Sequence, residues 1–174
     1  MDRSEILKIL AEFRTDEVVI TTMSPSREWP RLSPSALNLG VAGAMGYASS
    51  IALGLAIACP NKRIMVLDGD GSLLMNLGTL VTISSRSPSN LVHFVFGNGI
   101  YEIPGWIPVP GFDKISICGF ARAAGLTKVY DIDNLQDLRE HMPTFLHEPG
   151  PLLVVLKVDP GPKAPWSTAS AYGQ

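Results

Sequence analysis

Two polar side chains and the glycines around them carry the chemistry that can be read from this chain. Asp70 stands in Asp68-Gly69-Asp70-Gly71-Ser72, and Asn98 in Gly97-Asn98-Gly99-Ile100-Tyr101. A carboxylate and a carboxamide offer hard oxygens to Mg²⁺ or Ca²⁺, ions that need only one or two carboxylates when phosphate and water complete their shell. Gly69 and Gly71 let the main chain approach a ligand closely. Ser72 can cap a following helix, whose N-terminal amides favour a phosphate. Asp, Gly and Asn are also the commonest turn formers, so two plain turns are the competing reading of the same residues.

Each group follows an apolar run, Ile64 to Leu67 and Leu91 to Phe96. Neither run alternates with polar residues, the pattern of strands buried on both faces in a parallel sheet. Leu73, Leu77, Leu80 and Ser84 between them have helical spacing, which predicts a helix over 73–84. The result is a strand-helix-strand unit with Asp70 and Asn98 at like ends of two strands, where open parallel sheets bind their ligands. No Gly-x-Gly-x-x-Gly follows a first strand, which speaks against a dinucleotide fold.

The remaining elements extend that unit. Asp2 and Glu5 form a capping pair for a helix with Ile6, Ile9, Leu10 and Phe13 on one face. Val18 to Thr22 is the first strand, followed by a loop from Met23 to Glu28. No charge occurs from Leu32 to Asn61, but the glycines and serines inside Val41 to Cys59 exclude a membrane span, and a helix is expected there. Gly46, Ser50, Gly54 and Ala58 give that helix a stripe of small residues, with Ile51 and Leu55 in the core. The stripe serves either a subunit interface or close sheet packing. Glu102 to Gly111 is too rich in Pro and Gly for regular structure; Trp106 within it either lines the approach to Asn98 or packs on a partner. Asp113 to Ala124 reads as a helix ended by Gly125, Thr127 to Tyr130 as a strand, Asn134 to Leu146 as a helix that Pro143 kinks or restarts, and Leu152 to Val158 as the last strand. The expected fold is α/β, doubly wound, with a mainly parallel sheet of five or six strands and helices on both faces. It occupies residues 1–160; residues 161–174 form an extended tail that Trp166 or Tyr172 would anchor on a neighbour.

Composition narrows the function. A formal charge of −2 without a basic cluster excludes the electrostatic footprint of a nucleic-acid binder. Charged residues are 17% of the chain, against about 25% in an ordinary soluble domain, while 46% are hydrophobic, which predicts a buried partner face. Cys59 and Cys118 have no ligand spacing and read as buried, reduced thiols; His93, His141 and His147 read as structural. The segment Asp2 to Arg14 lacks the apolar core of a signal peptide, so a cytoplasmic address is expected, with no membrane attachment.

Gly69-Asp70-Gly71, followed by Asn98 in an Asn-Gly-x-Tyr context, resembles the thiamine diphosphate motif of the decarboxylase and acetolactate synthase superfamily. Gly43-Ala44-Met45-Gly46 is similar to the family segment in which a glycine carbonyl accepts from the cofactor's 4'-amino group and a bulky residue two positions on wedges the cofactor into its bent form. Ser26-Arg27-Glu28 resembles the SRE of phosphonopyruvate and sulfopyruvate decarboxylases. The resemblance implies thiamine diphosphate and Mg²⁺ as cofactors. Asp70, Asn98 and the Ile100 carbonyl would hold the ion, Gly69, Gly71 and Ser72 the diphosphate, Gly43, Ala44 and Met45 the pyrimidine, with Ser26 and Tyr101 beside them. It covers the diphosphate-binding half alone, so no catalytic residue is expected in this chain; the family's glutamate would come from a pyrimidine-binding α subunit in a hetero-oligomer, α2β2 or larger. The implied activity is non-oxidative decarboxylation of a 2-oxo acid to an aldehyde by a split enzyme whose β-type subunit this is. A carboligase subunit of the acyloin or acetolactate type, and a thiamine diphosphate-binding protein without turnover, are the alternatives. Where phosphonopyruvate decarboxylases carry a polar stretch such as STGGQ, this chain has Ile103-Pro104-Gly105-Trp106-Ile107, a departure that favours a more apolar 2-oxo acid or aldehyde.

Overall fold

The apolar runs become the centre of a six-stranded sheet. The computed structural model describes residues 1–41 and 43–161. In chain order the elements are α1 (Arg3–Phe13), β1 (Val18–Thr21), α2 (Pro25–Leu32), β2 (Asn38–Gly40), α3 (Ala48–Ala58), β3 (Ile64–Gly69), α4 (Asp70–Leu74), α5 (Gly78–Arg86), β4 (Leu91–Gly97), β5 (Ile100–Tyr101), β6 (Ile107–Pro108), α6 (Ile117–Ala123), β7 (Lys128–Ile132), α7 (Leu135–His147) and β8 (Leu152–Lys157). The main sheet has the order β2-β1-β3-β4-β8-β7, and all its pairings are parallel. β5 and β6 form a separate antiparallel pair.

Side chains alternate between two helical layers because successive residues of a strand point to opposite faces. Met65, Leu67, Val92, Phe94, Val154 and Leu156 pack with Ile6, Leu10, Trp29, Leu138 and Phe145, which belong to α1, α2 and α7. Ile64, Val66, Val95 and Leu153 pack on the other side with Ala52, Leu53, Leu80, Ile83 and Ala121 of α3, α5 and α6. Ile64 to Leu67 are fully buried. Each such side chain removed from water is worth about 1.5–3 kcal/mol, so the central strands hold both layers. This is the doubly wound α/β architecture expected, at six strands.

Local departures have local causes. The segment Met23 to Glu28 is no plain loop: α2 begins at Pro25, whose fixed φ suits the first helical position. The strand β2 was not expected; it is three residues long at the sheet edge, too short to show periodicity. The helix expected over 41–59 starts only at Ala48, and its buried face is Ala48, Ser49, Ala52, Leu53 and Ala56. Ile51 and Leu55 are half-buried, whereas Gly54 and Ala58 of the small-residue stripe are exposed and Gly46 precedes the helix. The helix expected over 73–84 divides into α4 and α5. The helix expected over 113–124 is a short 3₁₀ turn, Phe112–Lys114, followed by α6. Gly125, at φ 97°, ends α6 as anticipated. α7 runs through Pro143 without restarting, and Asn134 caps it by accepting from the Asp137 amide. Asp2 caps α1 through the Glu5 amide, as its spacing predicts. Cys59 is exposed, contrary to expectation, because it lies just past the end of α3; Cys118 is buried. Among the described residues no helix is long and apolar enough to cross a membrane. Trp166 and Tyr172 lie outside the described residues.

Candidate functional site

The chain steps from β1 outward to β2 and then back across β1 to β3, so the strand order reverses between β1 and β3. Helices on opposite faces diverge at such a point and leave a crevice beyond the carboxyl ends of the strands. An open cleft lies there. Its lining includes Met23 and Ser24 after β1, Gly69 at the end of β3 with Asp70 to Ser72 after it, Asn98 and Ile100 to Pro104 after β4, and Val158 after β8, together with Arg3 and Met45.

Asp70 sits on its floor, 3% exposed. One carboxylate oxygen accepts from the Gly71 amide at 2.6 Å; the other accepts from the amides of Asn98 at 2.9 Å and Gly99 at 2.6 Å. Burial holds the Asp70 carboxyl above the usual carboxylate range; the three amides work against that shift and the Asp68 charge adds to it. A carboxylate has about four lone-pair sites, so three amide bonds leave capacity for a cation. Asn98 Oδ1 accepts from the Ile100 amide at 2.9 Å. The Ile100–Pro108 pair is of the non-hydrogen-bonded kind, with the Val109 amide donating to the Gly99 carbonyl at 2.8 Å, so the Ile100 carbonyl is turned away from β6. Asp70, just past β3, thus bonds the turn after β4 that carries Asn98 and Ile100, and three residues with oxygens of the types a hard cation takes share one cleft.

Beside Asn98 lies a network of charges. Asn98 Nδ2 donates to Glu102 Oε1 at 2.9 Å. Glu102 also accepts from Arg3 Nη1, at 2.9 and 2.7 Å to its two oxygens, from Ser24 Oγ at 2.6 Å and from the Gly161 amide at 3.0 Å. Burial raises the Glu102 pKa, but the Ser24 hydroxyl, the Gly161 amide and the Arg3 guanidinium outweigh it and hold the group below the usual range. Arg3 Nε bonds Glu28 at 2.9 Å. Among the described residues the one guanidinium lining the cleft, that of Arg3, is thus shared between two carboxylates.

The segment carrying Met45 is tied to α4. The Gly46 amide donates to Ser72 Oγ at 3.0 Å, and Asn76 Nδ2 donates to the Gly46 carbonyl at 3.0 Å. Tyr101 closes over Gly71, where a Cβ would stand 2.1 Å from the ring's Cε1. Only glycine fits under that ring. Met23 lines the cleft at φ 53°, a conformation that costs a non-glycine residue about 1–3 kcal/mol.

Of the residues singled out in the sequence, Met45, Gly69, Asp70, Gly71, Ser72, Asn98, Ile100 and Tyr101 share this cleft. Ser72 does not cap a helix: it lies within α4, whose N-cap is Gly69, and its hydroxyl serves Gly46. Ser26 donates to the Met23 carbonyl at 2.6 Å, and nearby Ser24 lines the cleft instead. Gly43, at φ 70°, and Ala44 belong to the Met45 segment but are not among the lining residues. Ile103 and Pro104 line the cleft and Trp106 does not. Arg3, Ser24 and Glu102 escaped notice. Arg3 lies in the first turn of a helix whose sequence displays only a cap and an apolar face, and the contacts of Glu102 join segments up to 99 positions apart.

A sequence model of the family described as thiamine pyrophosphate enzyme, C-terminal TPP binding domain, matches residues 21–156. The chain belongs to that family. A phosphonopyruvate decarboxylase of Streptomyces viridochromogenes is 37% identical over 155 residues, covering 88% of this chain and 38% of the relative. The chain therefore spans well under half of that protein. Sulfopyruvate decarboxylase subunit beta of Methanothermobacter thermautotrophicus is 37% identical over 153 residues, and the match covers 86% of this chain and 82% of that subunit. The corresponding subunit of Methanococcus maripaludis is 33% identical and 85% covered. Among solved structures, benzoylformate decarboxylase of Polynucleobacter necessarius superposes with a TM-score of 0.73 at 20% identity, over 91% of this chain and 33% of that one, a likeness of fold. Membership makes thiamine diphosphate the ligand class of this domain.

Proposed function

We propose that this chain is the β-type subunit of a split thiamine diphosphate- and Mg²⁺-dependent decarboxylase acting on a 2-oxo acid and releasing an aldehyde. The observation that carries this reading is the meeting of Asp70, Asn98 and Ile100, three hard-oxygen donors drawn from the ends of β3 and β4 into one cleft. One carboxylate with two neutral oxygens suits a small divalent ion that keeps phosphate and water in its shell. Among the described residues no group of three His, Cys, Asp or Glu side chains could hold a metal in another way.

Thiamine diphosphate, when bound, supplies the carbon nucleophile for the substrate carbonyl. Asp70, Asn98 and the Ile100 carbonyl would hold Mg²⁺. Gly69, Gly71 and Ser72 would offer main chain to the diphosphate, Gly71 because it has no side chain to displace. Gly43, Ala44 and Met45 would meet the pyrimidine end, with Met45 held in place through Gly46. The carboxylates lining the cleft, Asp70 and Glu102, are both committed, so the acid that activates the pyrimidine would come from an α subunit of complementary type, in a hetero-oligomer of α2β2 form or larger. Relatives of similar length that are named as beta subunits support the split arrangement. Two free thiols agree with a cytoplasmic setting.

Substrate class follows from the walls. Met23, Met45, Ile103 and Pro104 are apolar, and Arg3 is already shared by Glu102 and Glu28. A 2-oxo acid with an apolar side chain suits this wall better than one bearing a phosphonate or sulfonate. Native mass spectrometry of the chain purified from its own host, followed by aldehyde assays on a panel of 2-oxo acids, tests the reading. The expected result is a second chain of similar size, thiamine diphosphate and Mg²⁺ in one complex, with turnover of apolar 2-oxo acids. A homo-oligomer that stays free of cofactor when both are supplied would overturn it.

A further inference from the structure

A carboxamide has an oxygen face and a nitrogen face, and its neighbours decide which one points where. Both faces of Asn98 are engaged: Nδ2 donates to Glu102 Oε1 at 2.9 Å, and Oδ1 accepts from the Ile100 amide at 2.9 Å. An ionised carboxylate only accepts, so it can hold the nitrogen face and never the oxygen face. Glu102 is itself fixed from several sides by donors: Arg3 Nη1, Ser24 Oγ and the Gly161 amide. Its side chain is 13% exposed, so the bonds are sheltered from competing water.

We propose that Glu102 is a positioning residue of the metal site: by holding Nδ2 it commits the Asn98 oxygen to the side of Ile100, and so sets the affinity for the ion without touching it. The proposal rests on the reading of Asp70, Asn98 and Ile100 as Mg²⁺ ligands. It also gives Arg3 a role, since the guanidinium that fixes Glu102 comes from α1. The first turn of the chain then helps to order a ligand nearly a hundred positions away.

Glu102→Ala is the informative variant because it removes the acceptor of Nδ2 and leaves the Asn98 carboxamide held by the Ile100 amide alone. Glu102→Gln is the conservative variant: its amide oxygen can stand where Oε1 accepts from Asn98, Arg3 and Gly161, and so keep the Asn98 bond. Aspartate at position 98 has an oxygen on either side and needs no such control. The measurement is the Mg²⁺ affinity at saturating thiamine diphosphate, by calorimetry, on the full chain with any partner that copurifies; circular dichroism checks the fold. Loss of a partner that orients a metal ligand costs about 10–100-fold in metal affinity, and that loss is expected for E102A. E102Q should retain most of the affinity, and in an N98D background E102A should cost nothing. An unchanged affinity in E102A, a loss in E102Q as large as that in E102A, or an equal loss of E102A in the two backgrounds overturns the proposal and reduces Glu102 to a structural tie. A wild-type complex that binds neither ion nor cofactor overturns the proposed function and this inference with it; normal wild-type binding with an indifferent E102A overturns this inference alone.

Discussion

At the scale of single residues, Asp70 has two employments that mutation cannot separate. It offers an oxygen to the proposed ion, and it organises the turn after β4 by accepting from the amides of Asn98 and Gly99 as well as from Gly71. Asp70→Ala therefore removes a charged ligand and leaves three amides without their acceptor in a site where Asp70 is almost wholly buried. A buried donor left unpaired costs about 1–3 kcal/mol, and water entering the vacated space would recover part of that. The expected outcome is loss of Mg²⁺-dependent thiamine diphosphate binding together with a drop in stability of about 1–3 kcal/mol, read by calorimetry and by urea unfolding. Binding that persists in the variant would remove Asp70 from the metal. The types of these residues were legible in the sequence because Asp-Gly and Asn-Gly are compact signals at strand ends. Glu102 was not, because its meaning lies in donors contributed by α1, the start of α2 and Gly161, and no local pattern announces such a meeting.

At the scale of elements, the short helix α4 connects the two ends of the cofactor cleft. Its first residue is Asp70, and its third, Ser72, receives the Gly46 amide, so the piece of chain that bears the metal ligand also holds the segment that bears Met45. Helical spacing through Leu73, Leu77, Leu80 and Ser84 suggests one helix, but the chain turns between α4 and α5, and Asn76 in that turn bonds the Gly46 carbonyl and Ser50. A periodic apolar pattern survives such a break because both pieces pack on the same face of the sheet, which is why the sequence does not display it. Ser72→Ala should leave the buried Gly46 amide unpaired, lower stability by about 1–3 kcal/mol and loosen the Met45 segment. Hydrogen exchange of the Gly46 amide is the direct readout, with faster exchange expected in the variant. Unchanged exchange would mean that Asn76 alone holds the segment.

At the scale of the molecule, the fold was legible because parallel strands buried on both faces are written as largely apolar runs without alternation, and Ile64 to Leu67, Leu152 to Leu156 and, interrupted only by the buried His93, Leu91 to Phe96 are such runs. β2 was not, since three residues at an edge carry too little pattern. The topology then dictates where stability is least secured: the cleft opens where the strand order reverses, and its lining includes a strained Met23 and a buried carboxylate whose pKa burial has raised. A ligand that neutralises Asp70 through a cation should therefore stabilise the whole domain and not only its loops. Binding to the folded state alone at one hundred times the dissociation constant adds about 2.7 kcal/mol, which for a chain of this size raises the melting temperature by about 5–10 °C. The complex purified with Mg²⁺ and thiamine diphosphate should show that rise, and a chelator should abolish it at constant thiamine diphosphate, because the diphosphate then faces Asp70 with no cation between them. A rise that survives chelation would show that the cofactor is held without the ion, and the role assigned to Asp70 and Asn98 would have to be given up.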